Sequence, residues 1–406
     1  MKKLLLSLLV LPLLFTSTSI AAPKKISVTP LKFITDAGNS NEFAGLVLSQ
    51  RNIVIFGSAS ESASSSAFVR AIDKTGNQQW KLSLDAGAEE IATAATTDTS
   101  GNIWIAGSFS PAITQTIETT TVTPALNPDE VINELVQPIR EDMDSVGVWK
   151  VSPQGELLTR FDLKMDYPAL ITSIAVDKSG LSLAGLTNTG KGNAGVLLNC
   201  SIAGVCITPI FIGMKDTSLD VVIRRSDGSQ IVIGSSIDTI LDKRVQGLRD
   251  GIIVSVAQTG KISQVIRSSA AKASRNWGSA TSTFLFGGEV ITGKKIESSV
   301  TKFSNTFTPT WTYRFASTGP VLNALGPSKS HYSFFASTAA ITNISGWNPK
   351  RAIGLVIAFD SKGALMGAHS ASALTEPRAV AYSKDLGLVV AGTSGDTVSI
   401  FNLNSR

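Results

Sequence analysis

The sequence predicts an all-β fold: a seven-bladed β-propeller of four-stranded antiparallel blades, closed by an N-terminal strand pairing with the C-terminal blade. Three observations predict it. Alternating apolar strands punctuated by Asp/Ser-x-x-Gly turns recur down the chain, as in AFVRAIDKTGNQQWKLSL and IATAATTDTSGNIWIAGS. The residues closing the apolar runs (Gly57, Gly107, Gly185, Gly234, Gly287, Ala336 and Gly392) stand about fifty apart, apart from one wide gap after Gly107. A period near fifty carrying four strands is that of a propeller blade. Finally, the last unit is one strand short, while KISVTPLKFI (25–34) is a strand without a unit. Pairing the two closes the ring and removes strand edges that would otherwise invite aggregation.

Taken in order, the chain begins with a leader. Lys2 and Lys3 precede the apolar run Leu4–Phe15, and a small polar stretch ends in Ser19-Ile20-Ala21. This is the layout of a secretory signal peptide (1–21), with cleavage after Ala21 or, second, Ala22. The run is short of the ~20 residues that span a bilayer, and no other segment approaches that length. The mature chain (22–406) is therefore expected outside the cytoplasm as a secreted or cell-envelope protein, and as a monomer.

Small residues on the first strand of each unit, such as Ala92, Ala94, Ala175, Ala379 and Ala381, suit positions near a converging axis. The closing glycines mark close backbone approach. Trp80, Trp104, Trp149, Trp277 and Trp311 lie in or beside repeat strands and read as packing residues. The wide gap holds an insertion, residues 111–145, between two strands of the second unit. Its first half is Thr-rich; its second carries a helix start, with Asn127 as N-cap, Pro128 next, and Asp129 and Glu130 in the first turn.

The only two cysteines, Cys200 and Cys206, flank one hairpin turn. In an oxidising compartment they read as a disulfide adding roughly 2 kcal/mol, not as a zinc or redox site. The formal charge of +5 falls to +3 when Lys2 and Lys3 leave with the acid-free leader. Basic residues are scattered singly, which argues against nucleic acid as a partner.

Two stretches, Ala67–Trp80 and Ile91–Gly107, resemble the bacterial secreted β-propeller repeats of the SBBP type, with weaker copies at Thr172–Gly185 and Gly251–Gly260. The resemblance implies a propeller in an exported protein and implies no reaction, since such repeats are scaffolds.

In a propeller, the loop from second to third strand shares a face with the connections between blades. The insertion therefore belongs beside one mouth of the central channel, where binding is expected. Acids gather on the same connections. Asp85, Glu89, Glu90, Glu134, Glu141, Asp142 and Asp166 form the candidate binding rim, with Asp36, Glu42, Asp144 and Asp216 nearby and Lys215, Lys272 and Arg275 opposing. The alternative is that these acids only cap turns and a helix start.

Enzyme signatures are missing. Ser304–Trp311 keeps the ends of a sialidase Asp box without its Asp and Gly, and Thr75-Gly76…Trp80 is a single quinoprotein-like turn. No Gly-x-Ser-x-Gly elbow occurs, and two histidines supply neither a metal cluster nor an acid–base pair. No cofactor, metal or catalytic residue is assigned. The sequence thus reads as a non-catalytic exported propeller that binds a protein, glycan or envelope component. The alternative is a carboxylate-dependent hydrolase or lyase at the channel mouth.

Overall fold

The computed structural model describes residues 25–61, 64–111 and 141–403. The leader, most of the insertion including its expected helix start, and Glu134 lie outside the described residues.

The chain opens with β1 (Ile26–Pro30) and β2 (Lys32–Asn39). Blade one is β3 (Phe43–Ser49), β4 (Asn52–Glu61), β5 (Ser64–Ile72) and β6 (Gln78–Ser83). Blade two is β7 (Glu89–Thr97), β8 (Ile103–Ser110), β9 (Ser145–Val151) and β10 (Leu157–Lys164). Blade three is β11 (Ala169–Asp177), β12 (Gly180–Asn188), β13 (Asn193–Cys200) and the short β14 (Ile210–Ile212). Blade four is β15 (Thr217–Arg224), β16 (Gln230–Ser236), β17 (Asp250–Val256) and β18 (Ile262–Ser268). Blade five is β19 (Ser274–Ala280), β20 (Leu285–Thr292), β21 (Lys295–Phe303) and β22 (Pro309–Ala316). A broader sheet follows, containing β23 (Leu322–Leu325), β24 (His331–Ser337), β25 (Ile344–Ser345), β26 (Ile353–Phe359) and β27 (Leu365–Ala371). The closing blade holds β28 (Glu376–Ser383), β29 (Gly387–Ser394) and β30 (Thr397–Leu403).

The expected seven four-stranded antiparallel blades are corrected to six. The remaining sheet is six-stranded and mixed, ordered β23-β24-β26-β27-β1-β25, because β1 adds to it in parallel. It stands in the ring between blade five and the closing blade, with β23 against β19 on one side and β28 on the other. The expected closing strand 25–34 is likewise corrected. Its first half pairs with β27, and β2 is the strand that runs antiparallel to β30. Pro30, with no N–H to donate, ends the first ladder; Leu31 makes one last bond to the Ser370 carbonyl, 2.9 Å, and the chain crosses to the neighbouring sheet. Two sheets are thus tied together by one N-terminal segment.

The first strands β3, β7, β11, β15, β19, β23 and β28 contact one another in sequence, and β28 returns to β3. Second and third strands are covered on both faces by neighbouring sheets, so they are apolar almost throughout: every residue of β8 is buried, while the outermost β10 is mostly exposed. Cores lie between blades. Val54, Val69, Ile103, Ile105 and Trp149 fill the space between blades one and two. Trp104, Trp149 and Trp277 are buried to within 1% of full enclosure, which is the packing role expected of them.

The repeat glycine has a direct cause. In blade two the first strand bulges between Ala92 and Ala94, which drives the Ile91 carbonyl towards Gly107. A Cβ on Gly107 would lie 1.7 Å from that oxygen. The same clash recurs with Glu42 at Gly57, Leu170 at Gly185, Ser218 at Gly234 and Asn276 at Gly288, so in blade five the constrained glycine is one residue beyond the expected Gly287. Ala336 is tolerated because β23 starts only at Leu322, opposite Phe334, and pairs no residue with it.

Cys200 and Cys206 form the expected disulfide, closing the hairpin between β13 and β14.

Candidate functional site

Successive antiparallel strands reverse direction, so links from second to third strands and from one sheet to the next leave the same end of the ring. This connection face carries the 111–145 insertion; the Asp/Ser-x-x-Gly turns lie on the opposite face. At those turns the carboxylate accepts hydrogen bonds from its own turn backbone. Asp98 accepts from the N–H of Ser100 (2.9 Å) and Asn102 (3.0 Å) and from Trp104 Nε1 (3.1 Å).

The structure brings most of the candidate rim to one end of blade two. Glu89 and Glu90 stand opposite Ser110 and Phe109, and Ser145 stands opposite both Phe109 and Lys164. Glu141 and Asp142 precede β9, Asp166 follows β10, and Asp85 lies in the link into β7. Several acids there are engaged locally. Glu90 is buried, and its Oε1 accepts from the N–H of Ala86 (3.1 Å) and Gly87 (2.6 Å), fixing the incoming link. Glu89 is buried beside it. Arg160 donates to the carbonyls of Asp85 (2.7 Å) and Ala86 (2.8 Å) while pairing with Asp162. Asp144 pairs with Lys164. The side chains of Asp85, Glu141 and Asp166 are exposed, and Asp142 is half-buried. Of the flanking residues, Asp36 accepts from Ser399 Oγ at 2.6 Å, and Asp216 is ion-paired with Arg249.

A cavity of about 420 Å³ opens on the same face between the closing blade and blades one and two, with Asn39, Asn41, Glu42, Ser58, Ser60, Ser65 and Thr93 on its walls. Phe43, Ala44, Ile91 and Ala92 complete its lining, so apolar walls carry a set of hydroxyls, amides and one carboxylate.

The bulges place one extra residue at the same point of every first strand except β23: Ala44, Thr93, Thr172, Asp220, Gly278 and Arg378. Asp220 is the single carboxylate among them. Burial pushes it up to about 6, opposed weakly by the Ser218 hydroxyl and by Arg249. Arg378 donates to the carbonyls of Ser40 (3.0 Å) and Phe43 (3.4 Å). Sequence reading missed Asp220, although LDVVIR places an acid where the equivalent strands carry Thr93 and Thr172.

Blade four carries a second construction that sequence reading missed. The Asp238 carboxylate accepts from the N–H of Met214, Lys215 and Asp216, each at 3.1 Å, and from Thr217 Oγ1 at 2.7 Å. Burial would raise this carboxyl, but the Thr217 hydroxyl and those amides outweigh it and hold it below the usual range. Asp250 likewise accepts from Gln246 and Gly247, both at 2.9 Å, and from Arg267. Among the described residues, no group of three or more His, Cys, Asp or Glu side chains is placed to hold a metal ion, and no helix is long and apolar enough to cross a membrane.

No protein-family model and no curated protein matches the chain in sequence. Solved structures match it as a fold. The chain is similar to the WD40 β-propeller domain of Doa1, at 10% identity over 93% of this chain and 98% of that one, with a TM-score of 0.51. It is similar to Chaetomium thermophilum Sqt1 bound to the N-terminus of the ribosomal protein L10, at 11% identity over 94% and 100%, with a TM-score of 0.51. A virginiamycin B lyase from Staphylococcus aureus aligns at 9% identity over 91% and 99%, with a TM-score of 0.49. At such identities the likeness shows a β-propeller and nothing about activity.

Proposed function

We propose that this chain is an exported, non-catalytic β-propeller that binds a protein, glycan or cell-envelope partner through its connection face, beside the 111–145 insertion. The observation that carries this reading is how the polar groups of that face are arranged. Glu90, Asp238 and Asp250 are spent on backbone amides, which makes the links stable platforms and takes these three carboxylates out of acid–base work. Glycoside-type hydrolysis needs two such groups flanking one bond; Asp220 stands as one carboxylate in the ring of bulge residues. Export is supported by the Lys2–Ala21 leader and by the Cys200–Cys206 disulfide, which suits an oxidising compartment. That one of the similar propellers is bound to a protein N-terminus agrees with a scaffold of this shape being used for binding. The exposed acids Asp85, Glu141 and Asp166, with Asp142, are assigned to the rim of the binding face.

The test compares partners retained from the cell-envelope fraction by the mature chain and by a chain lacking residues 111–145. Loss of a retained partner on deletion is the expected result. Identical retention by the two would place binding elsewhere.

A further inference from the structure

The connection face of blade four presents large apolar side chains outward. Met214 is 61% exposed, Leu241 60% and Leu248 66%, with Ile237 beside them at 38%. The links that carry them are tied together: Met214 N and Ile237 N bond to Asp238 and Asp216, Leu241 and Leu248 lie on the same β16–β17 link as Ile237, and Leu248 N bonds to the Ala273 carbonyl of the next link. The exposed cations Lys215, Lys243, Arg244 and Lys272 alternate with them along the same links. The acids nearby cancel only part of this charge. Asp216 is paired with Arg249 and Asp250 with Arg267, while Asp242 pairs with Lys243 and Asp238 keeps its charge among backbone donors, so the four cations exceed the acids left to them by two.

The links are held rigidly in this arrangement. Arg267 donates to the carbonyls of Asp238, Lys243 and Ser236, locking the strand-connecting segment against blade four. Leu241 and Lys272 adopt φ of 52° and 55°, a left-handed conformation that costs a non-glycine residue energy. Leu241 sits at the tip of the Ile240–Lys243 turn with its side chain exposed. Aliphatic side chains exposed to solvent and flanked by Lys and Arg suit the boundary between lipid headgroups and acyl chains.

We propose that the Met214/Ile237/Leu241/Leu248 patch, with Lys215, Lys243, Arg244 and Lys272, docks the propeller on an anionic phospholipid surface. This deepens the reading of the connection face as the binding face and rests on it.

The test is co-sedimentation of the full chain with vesicles of phosphatidylcholine alone or of phosphatidylcholine and phosphatidylglycerol in equal parts. Three double variants are compared: Leu241→Ser with Leu248→Ser, Lys243→Glu with Arg244→Glu, and Lys74→Glu with Lys178→Glu. The last reverses the same charge on the opposite face. Binding to mixed vesicles, little binding to neutral ones, and a loss of about tenfold or more in the first two variants are expected, against about twofold or less in the third. Equal loss in both charge variants would reduce the effect to net charge and overturn the patch. Failure to bind mixed vesicles, with a synthetic Glu/Leu amphipathic peptide bound in a Leu241- and Leu248-dependent way, would overturn the lipid assignment and leave the connection face as the binding face. Greater loss in the Lys74/Lys178 variant would overturn both.

Discussion

His331 is enclosed at the start of β24, 1% exposed, and its Nδ1 has no hydrogen-bond partner. Burial pushes its imidazole down to about 4, and the Lys302 cation acts in the same direction. A histidine whose folded pKa lies below its unfolded value lets the unfolded state bind protons first. Its penalty is absent above the unfolded pKa, near 6.5, and grows as pH falls towards 4. Asp220 has the opposite sign: its raised carboxyl contributes stability at low pH that is lost as pH rises through about 6. Only a difference measurement separates the two. The melting temperature of His331→Gln relative to the parent chain should rise as pH is lowered from 6.5 to 4, worth on the order of 1 kcal/mol after allowance for solvent screening. Parallel melting curves across that range would contradict the assignment. His369, also lowered by burial and bonded through Nδ1 to Thr29 Oγ1 at 2.6 Å, supplies a smaller contribution of the same sign.

The decisive element is the N-terminal pair β1 and β2. β1 covers the outer edge of β27, and β2 supplies the fourth strand of the closing blade, with Phe33 edge-on to Phe401 at 5.5 Å. Deleting residues 25–39 should therefore expose two sheet edges, lower the melting temperature by more than 10 °C or so, and raise aggregation. A truncated chain that melts with the parent would show the ring closed without them. The need for such a strand was legible in the sequence, because the last unit ran out after one strand beyond its first hairpin. Its division was not. KISVTPLKFI alternates as one strand, and only Pro30, read for its missing N–H, marks the crossing. The sixth sheet was obscured for a related reason: β1 joins it in parallel from the far end of the chain, and the two-residue β25 that β1 also pairs with is too short to leave a periodicity. The turn chemistry was plain, since Asp98-x-x-Gly101-Asn102 specifies its own hydrogen bonds. The state of the rim acids was not, because Glu90 reads like any surface acid until the Ala86 and Gly87 amides are found around it.

At the scale of the whole molecule, acids on both faces of the ring bond to backbone amides, and the faces differ in what else they carry. The turn face is self-satisfied: Asp73, Asp98, Asp177, Asp227 and Asp360 each turn a carboxylate onto their own turn backbone. The connection face carries the cavity beside Glu42, the acids at the end of blade two, and the apolar and basic links of blade four. The proposed binding face is the connection face. Hydrogen–deuterium exchange of the full chain, with and without vesicles of equal phosphatidylcholine and phosphatidylglycerol, tests it most directly. Slower exchange confined to residues 213–216 and 237–249 is predicted, with the Asp73–Asn77 and Asp98–Asn102 turns unchanged. Protection at those turns, or none on the blade-four links, would contradict it.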